Sequence, residues 1–459
     1  MTNCTFTGNA AQKGSAIYNY EGTCTVTNCK FYLNTASDGD GGAIYNGGTC
    51  TVTNCTFTSN TATSGGGAIY NGGTCTVTNC TFKGNTAASG GGAIHNKGTI
   101  TNISGCTFTD NTASSSGAIY NNGTITTISG CTFTGNAAVD EGDGGAIYTN
   151  GCIDYLSDCK FTGNTAYNGG AIYNKGTLNV SGCTFTDNTA TNQGGVIYNI
   201  GGSCVLHFNR IVGNTANFGS AIYNNNTTSG SVDASLNWWG SNNGPNDQVV
   251  GVNVPSWLVL TINANTNIIK RNGVSTITID LCHDNTGGYH FPDAGHVPDG
   301  MPVTFTTTVG TINNSASLVN GFAQSNLNGG IKSGYANVLV KMDSQTIQKS
   351  VTVDAAVPYV VKTYPKNKAI KISRTNKISI TFNKKIGTSI NWSKITVKNN
   401  KGKKIKISKT IKNNTLYIKT SKRNSNTQYT IYIPASAIKD SVGNNLTKSY
   451  TLKFKTGRK

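Results

Sequence analysis

Along the first half of the chain, apolar residues do not recur at the three- and four-residue intervals of a helix. They recur at every second residue in very short runs, and then the whole pattern returns. Thr49-Cys50-Thr51-Val52-Thr53 alternates hydroxyl with apolar side chains, Thr56-Phe57-Thr58 does so around one aromatic, and Ile69-Tyr70-Asn71 closes the unit. Such alternation predicts strands, which Thr and Val favour, while the Gly and Asn between them mark turns. The Ile of the last triplet stands at Ile17, Ile44, Ile69, Ile94, Ile119, Ile147, Ile172, Ile197 and Ile222, in steps of 27, 25, 25, 25, 28, 25, 25 and 25 residues. A repeat of this length is one supersecondary unit, and stacked units share one core. The pattern predicts three short strands and three turns per repeat, one coil of a parallel β-helix. Antiparallel hairpins would not place identical residues in register.

Successive coils lie about 4.8 Å apart, so each repeat position becomes a column. Ile44, Ile69 and Ile94 are expected to stack, as are Phe57, Phe82 and Phe108, and Asn60, Asn85 and Asn111 are expected to form an amide ladder at a turn. Cys29, Cys55, Cys80, Cys106, Cys131, Cys159 and Cys183 share one column. Cys24, Cys50, Cys75 and Cys204 share another, where Ile100, Ile125 and Leu178 stand in other repeats. Exchange with Ile and Leu reads as thiols packed as small hydrophobes, and disulfides between coils remain the alternative.

The repeats stop after Ile222, and Asn237-Trp238-Trp239-Gly240 reads as an atypical end that closes the exposed core. Longer alternating strands follow, among them Ser275–Leu281 and Met301–Ile312, and then a second set that includes Lys377–Asn383 and Gln428–Pro434. The expected organisation is all-β: a solenoid of about nine coils over 1–255, an Ig-like β-sandwich over 256–356 and a second one over 357–459. The chain opens inside a repeat, so its first coil is expected to be incomplete. No apolar run has transmembrane length.

Charge separates the segments. Residues 1–255 hold 7 Lys and Arg against 12 Asp and Glu, residues 256–354 hold 5 against 6, and residues 355–459 hold 25 against Asp440 alone. The excess of the whole chain thus belongs to its last segment, for which an anionic polymer is the simplest partner. Lys401, Lys403, Lys404 and Lys406, alternating with Gly402 and Ile405, are expected on a strand with one uniformly positive face. Nucleic acid is the less suited anion, because no run of aromatics is interleaved with these lysines.

The boxes Gly41–Ile44, Gly66–Ile69 and Gly91–Ile94, with Phe57-Thr58-Ser59-Asn60 and Phe82-Lys83-Gly84-Asn85, resemble the polymorphic outer-membrane protein repeat. That resemblance implies a right-handed parallel β-helix of the kind found in adhesins. Val297–Phe305 with Val309–Ile312 is similar to the invasin-type bacterial Ig-like domain. Pro358–Val360, Ile380-Thr381-Phe382 and Ala437–Asp440 resemble the Ig-like domain of S-layer proteins. The combination looks like the adhesin-like surface proteins of methanogenic archaea. It implies an extracellular, cell-surface or wall-associated protein that binds surface glycans or a partner cell, without an enzymatic role.

A carbohydrate-active β-helix enzyme needs carboxylates clustered on adjacent coils, and here the outward positions are Thr, Asn, Ser and Tyr. A ligand-free structural wall component is the other alternative. The column Tyr45, Tyr70, His95, Tyr120, Tyr148, Tyr173 and Tyr198 should point outward and is the candidate ligand stripe, although stacked aromatics also stabilise a ladder by themselves. The two longer coils carry Asp38 with Asp40 and Asp140 with Asp143, weak candidates for calcium that read more simply as solvated loops. Cys282, His283, His290 and His296 read as a polar insertion rather than a metal site, and no cofactor is expected.

Overall fold

The structure is a computed structural model that describes residues 1–225 and 230–458. Four parallel sheets, not three, run along the repeat region. One sheet carries the Phe triplets, from Thr5–Thr7 to Arg210–Val212. Another carries the Ile-Tyr-Asn triplets, from Ile17–Asn19 to Val249–Val250. A third carries the Thr-Cys-Thr-Val-Thr strands, from Thr23–Thr27 to Ser231–Asp233. The unexpected fourth is built largely from two-residue strands such as Thr61–Ala62 and Thr86–Ala87. A two-residue strand is too short to show alternation, so nothing in the hydropathy pattern announces it.

Pairing is in register: Ile69 lies beside Ile44 and Ile94, and Phe82 beside Phe57 and Phe108. The phenylalanine rings stack from Phe6 to Phe185 with centroids 4.6–4.9 Å apart. The Asn ladder forms as expected. Each amide donates to the oxygen of its neighbour one coil on, at 2.9 Å for Asn60 to Asn85 and for Asn85 to Asn111. The same oxygen accepts a backbone N–H, and the amide's second proton meets a phenylalanine carbonyl, as in Asn85 to Phe57 at 3.0 Å. A second ladder, not foreseen, uses the Asn that follows each Tyr: Asn46, Asn71 and Asn96 are linked at 2.7–2.8 Å. Every one of these buried amides is therefore hydrogen-bonded, which is the condition for burying it at all.

All fourteen cysteines are free. The column Cys24, Cys50, Cys75 and Cys204 packs in the apolar core, as expected. The other column does more than pack. The sulfur of Cys55 accepts the N–H of Cys29 at 3.4 Å and its thiol meets the carbonyl of Thr53 at 3.2 Å, a pattern repeated from coil to coil. At the end of the column Asn209 takes the same place, accepting the N–H of Cys183 at 2.8 Å, and Asn237 does so for Asn209 at 2.9 Å. This position selects a hydrogen-bond acceptor, which sulfur and amide oxygen both supply.

The solenoid ends in two adjacent tryptophans that face different cores. Trp239 packs under the last coil, as a cap should. Trp238 instead enters the core of the following module, because neighbouring residues of an extended segment point to opposite sides. Phe208 and Leu236 join it. Both adopt left-handed backbone, φ 60° and 56°, at a turn position where earlier coils use Asn28, Asn54, Gly105 or Asp158. A bulky residue there is strained by about 1–2 kcal/mol, and it is held because its half-buried side chain packs against the core of the neighbouring module. The indole N–H of Trp238 donates to Asp343 at 2.7 Å, and Arg210 pairs with the same carboxylate.

That module consists of two sheets. Leu258–Ala264, Val274–Asp284, Phe322–Asn328 and Thr311–Ile312 form one, and Ile268–Lys270, Gln345–Asp354, Gly334–Met342, Pro302–Thr307 and Ser315–Ser317 form the other. The last module repeats the scheme with Val360–Tyr364, Ile378–Phe382, Thr415–Thr420 and Ile407–Lys412 facing Ala369–Ile372, Tyr450–Thr456, Gln428–Ile433 and Thr396–Asn399. Lys384 joins the two, its ammonium 2.7 Å from Asp354 and 2.7 Å from Asp440. Burial opposes the charge on Asp440, but Lys384 and the amides of Asn444 outweigh it and hold the carboxyl below its usual range. The single acid of residues 355–459 is thus spent at the junction between the modules.

Three substitutions test these assignments. Cys183→Asn should leave stability within about 1 kcal/mol of the parent, whereas Cys183→Val should cost about 1–3 kcal/mol by stranding the buried N–H of Cys159. Equal denaturation midpoints for the two variants would show that the column is purely apolar. Asp343→Ala should cost about 3–5 kcal/mol in the stability of the junction, since it leaves Arg210 with no carboxylate in a largely buried site. Limited proteolysis around residues 240–256 should accelerate accordingly, and an unchanged cleavage rate would contradict the assignment.

Candidate binding surfaces

The Ile-Tyr-Asn sheet buries Ile and turns Tyr outward, as alternation requires. The column is nevertheless not open. Tyr45 stacks on Tyr70 at 4.8 Å, Tyr120 on Tyr148 and Tyr148 on Tyr173 at 4.7 Å, and Tyr173 on Tyr198 at 5.0 Å. Their faces are turned to one another, so the column offers ring edges and phenolic oxygens to a ligand. Tyr70, Tyr173 and Tyr198 are buried, while Tyr45, Tyr120 and Tyr148 are half-buried. Lys97 lies over the Tyr70 ring, and Lys175 over Tyr148 and Tyr173 at 5.7 and 5.4 Å. Burial pushes the Tyr70 hydroxyl up to about 12.

His95 interrupts the stack. Its ring stands at 75° to Tyr70 and 81° to Tyr120, edge-on rather than face-on. It tilts into space that Gly65 and Gly90 leave open, since a Cβ at either would meet the ring nitrogen, at 1.8 and 2.7 Å. The side chain is 6 % exposed, and neither ring nitrogen finds a partner among the described residues. Burial, helped by the charge of Lys97, pushes its pKa down to about 4.

The acidic loops divide in the same way. Asp38 and Asp140 are exposed, whereas the half-buried Asp40 accepts the Gly65 N–H at 2.9 Å and the half-buried Asp143 accepts from the Asn168 amide at 2.9 Å. The inner carboxylates therefore stitch each longer loop to the next coil. The histidines of the insertion do not converge either: His283 pairs with Asp280 at 2.7 Å and His290 with Asp284 at 2.8 Å, while His296 meets the Val297 carbonyl. Among the described residues no three His, Cys, Asp or Glu side chains gather as a metal site would require.

Two surfaces differ from expectation. Lys401, Lys403, Lys404 and Lys406 are exposed, but they lie in a loop and not on a strand. The Asn399 side chain captures the N–H groups of Lys401 and Lys403 at 3.1 and 3.0 Å, and Gly402 turns with φ 76°, so the lysines share no single face. Conversely, the outward rows of the Thr-Cys-Thr-Val-Thr sheet, such as Thr49, Thr51, Thr74 and Thr76, stay exposed or half-exposed. They form ranks of hydroxyls, with Thr49 beside Thr74 and Thr51 beside Thr76 in register, and across the register shift that follows, Thr76 and Thr101 lie 2.7 Å apart. Thr at every second residue is the sequence signal for these ranks, and the same alternation marks the strand.

With this geometry in hand, residues 1–155 match the right-handed β-helix region family. Residues 158–175 and 182–200 match the chlamydial polymorphic membrane protein repeat, and residues 354–456 match the bacterial Ig-like domain. The protein is thus a right-handed parallel β-helix followed by Ig-like sandwich modules. No curated protein matches the chain. Similar solved structures include a C-terminal fragment of intimin in complex with the intimin-binding domain of its translocated receptor (15 % identity, 42 % of this chain and 63 % of that one, TM-score 0.26). The Escherichia coli adhesin FdeC (13 %, 42 % and 63 %, 0.27) and an I-band fragment of titin (10 %, 45 % and 66 %, 0.26) are others. The chain spans less than two thirds of the length of each of these. No helix among the described residues is long and apolar enough to cross a membrane.

The His95 site gives a pH prediction. Its folded pKa lies below that of the unfolded chain, so the unfolded state takes up the proton first as pH falls from about 6.5 to 4. Stability should decline through that window by about 3 kcal/mol from this residue. His95→Tyr should restore the stack, raise the melting temperature at pH 7 and remove that part of the acid sensitivity. Parallel Tm-versus-pH curves for the two proteins would refute the assignment.

Proposed function

We propose that the protein is a cell-surface adhesin-like rod: an extracellular β-helix that contacts surface glycans or a partner cell, carried on Ig-like modules, the last of which is held to an anionic wall polymer. The observation that carries this reading is the mechanical continuity of the chain. Phe208, Leu236 and Trp238 insert from the solenoid into the next core, and Lys384 clamps that module to the one after it. A catalytic β-helix has no need of such joints, whereas a rod that presents one end and anchors the other depends on them. The repeat and Ig-like families matched above support the same reading.

For the contact itself, the open hydroxyl ranks around Thr49, Thr51, Thr74 and Thr76 offer donors and acceptors in register, which suits a polyol chain. The edges of Tyr45, Tyr120 and Tyr148 lie on another face of the same rod. The reading is non-enzymatic, because the inner carboxylates Asp40 and Asp143 are engaged in joining coils.

The test is binding of the full chain to a glycan array and to whole cells, run beside an assay for release of reducing ends from the same polysaccharides. Saturable binding without product release is expected. Release of reducing ends would establish a carbohydrate-active enzyme instead, and neither binding nor release would leave a structural wall component.

A further inference from the structure

The strand Ile407–Lys412 forms the edge of its sheet and pairs with Thr415–Thr420, which pairs in turn with Ile378–Phe382. Alternation divides these strands cleanly. Leu416, Ile418, Ile378 and Ile380 go into the core. On the other face Thr410 lies opposite Tyr417 and Ser408 opposite Lys419. Lys412 and Lys377 stand on the same side, and all three lysines are exposed while Tyr417 is half-buried. The result is a shallow groove of about 660 Å³ lined by Tyr417, hydroxyls and three lysines. The one acid of residues 355–459, Asp440, is 3 % exposed and engaged with Lys384, so no carboxylate of that module neutralises the face.

From this arrangement we infer that the groove around Tyr417 is a binding site for a linear anionic polysaccharide. The chemistry is complementary at each part. A half-buried aromatic provides an apolar plate for the C–H face of a sugar ring, as sugar-binding surfaces require. Ser408 and Thr410 can donate to and accept from sugar hydroxyls. Lys377, Lys412 and Lys419 surround them as flexible point charges, suited to carboxylates or sulfates spaced along a chain. Single-stranded nucleic acid is less well served, because it needs successive aromatic platforms and this face has one. The inference deepens the anchoring role proposed for the last module and relocates it from the Asn399 loop, whose lysines share no face, to a sheet face with a defined floor.

The experiment measures binding of the full chain to immobilised polygalacturonic acid, heparin, neutral dextran and a single-stranded oligonucleotide across a salt series. Four proteins are compared: the parent, Lys377→Ser/Lys412→Ser/Lys419→Ser, Tyr417→Ala, and Lys401→Ser/Lys403→Ser/Lys404→Ser/Lys406→Ser. The face variant should lose at least tenfold in affinity for the acidic polysaccharides, and its salt dependence should flatten by about two to three contacts. Tyr417→Ala should lose affinity with the salt slope unchanged, which distinguishes ring contact from charge. The loop variant removes one more charge than the face variant, yet should lose less than threefold. If the loop variant loses as much as the face variant, or the face variant binds like the parent, the groove is not the site, although anchoring would stand. Failure of the parent to bind either acidic polysaccharide at low salt would overturn the anchoring role together with the groove. Tighter binding of the oligonucleotide than of polygalacturonic acid would overturn the polysaccharide assignment.

Discussion

An asparagine side chain removed from water must find partners for two donors and an oxygen, or its burial costs several kcal/mol. In the ladder that contains Asn60 the partner of each buried amide is the equivalent Asn one coil away, with a backbone N–H and a phenylalanine carbonyl completing the set. The arrangement holds only if every coil has the same path and the same register. That requirement governs the rest of the solenoid: the parallel sheets, the face-to-face phenylalanines, the thiol acceptors at the turn and the length variation confined to outward loops. A thin core with few large residues suffices because polar columns are satisfied along the axis rather than across it.

The same constraint explains how the rod ends. A column has no partner beyond its last member, so the final coils substitute residues that find partners elsewhere. Asn209 and Asn237 replace cysteine where the acceptor must reach further. Phe208 and Leu236 occupy left-handed positions that Asn, Asp and Gly fill in earlier coils, and their strain is offset by packing against the core of the next module. Departures from the repeat thus mark the joint. His95 departs from it within the rod and, having no partner for its nitrogens among the described residues, destabilises rather than joins.

Charge divides along the chain as the modules do. The solenoid carries a slight negative excess and outward hydroxyls, while the last module carries 25 of the 37 Lys and Arg and with them the net positive excess of the chain. Mutual repulsion among 25 cations and one acid opposes folding, and the acid is placed where it contributes most, between Lys384 and the turn of Asn444.

Repetition made the solenoid legible without coordinates. Residues at a fixed period must stack if the strands are parallel, so the Ile, Phe and Asn60 columns followed from spacing alone. What spacing could not convey was anything decided by contact between non-equivalent residues. The two-residue Thr-Ala strands carry too little alternation to be seen. Whether a tyrosine column is open depends on what folds over it, and adjacent rings at coil spacing close each other's faces. Trp238 and Trp239 look alike in sequence and enter different cores because one bond of extended chain reverses direction. Lys401 to Lys406 alternate as a strand would, yet an Asn399 side chain bends them into a loop. The three lysines around Tyr417 come from positions 377, 412 and 419, and only pairing of their strands brings them to one face.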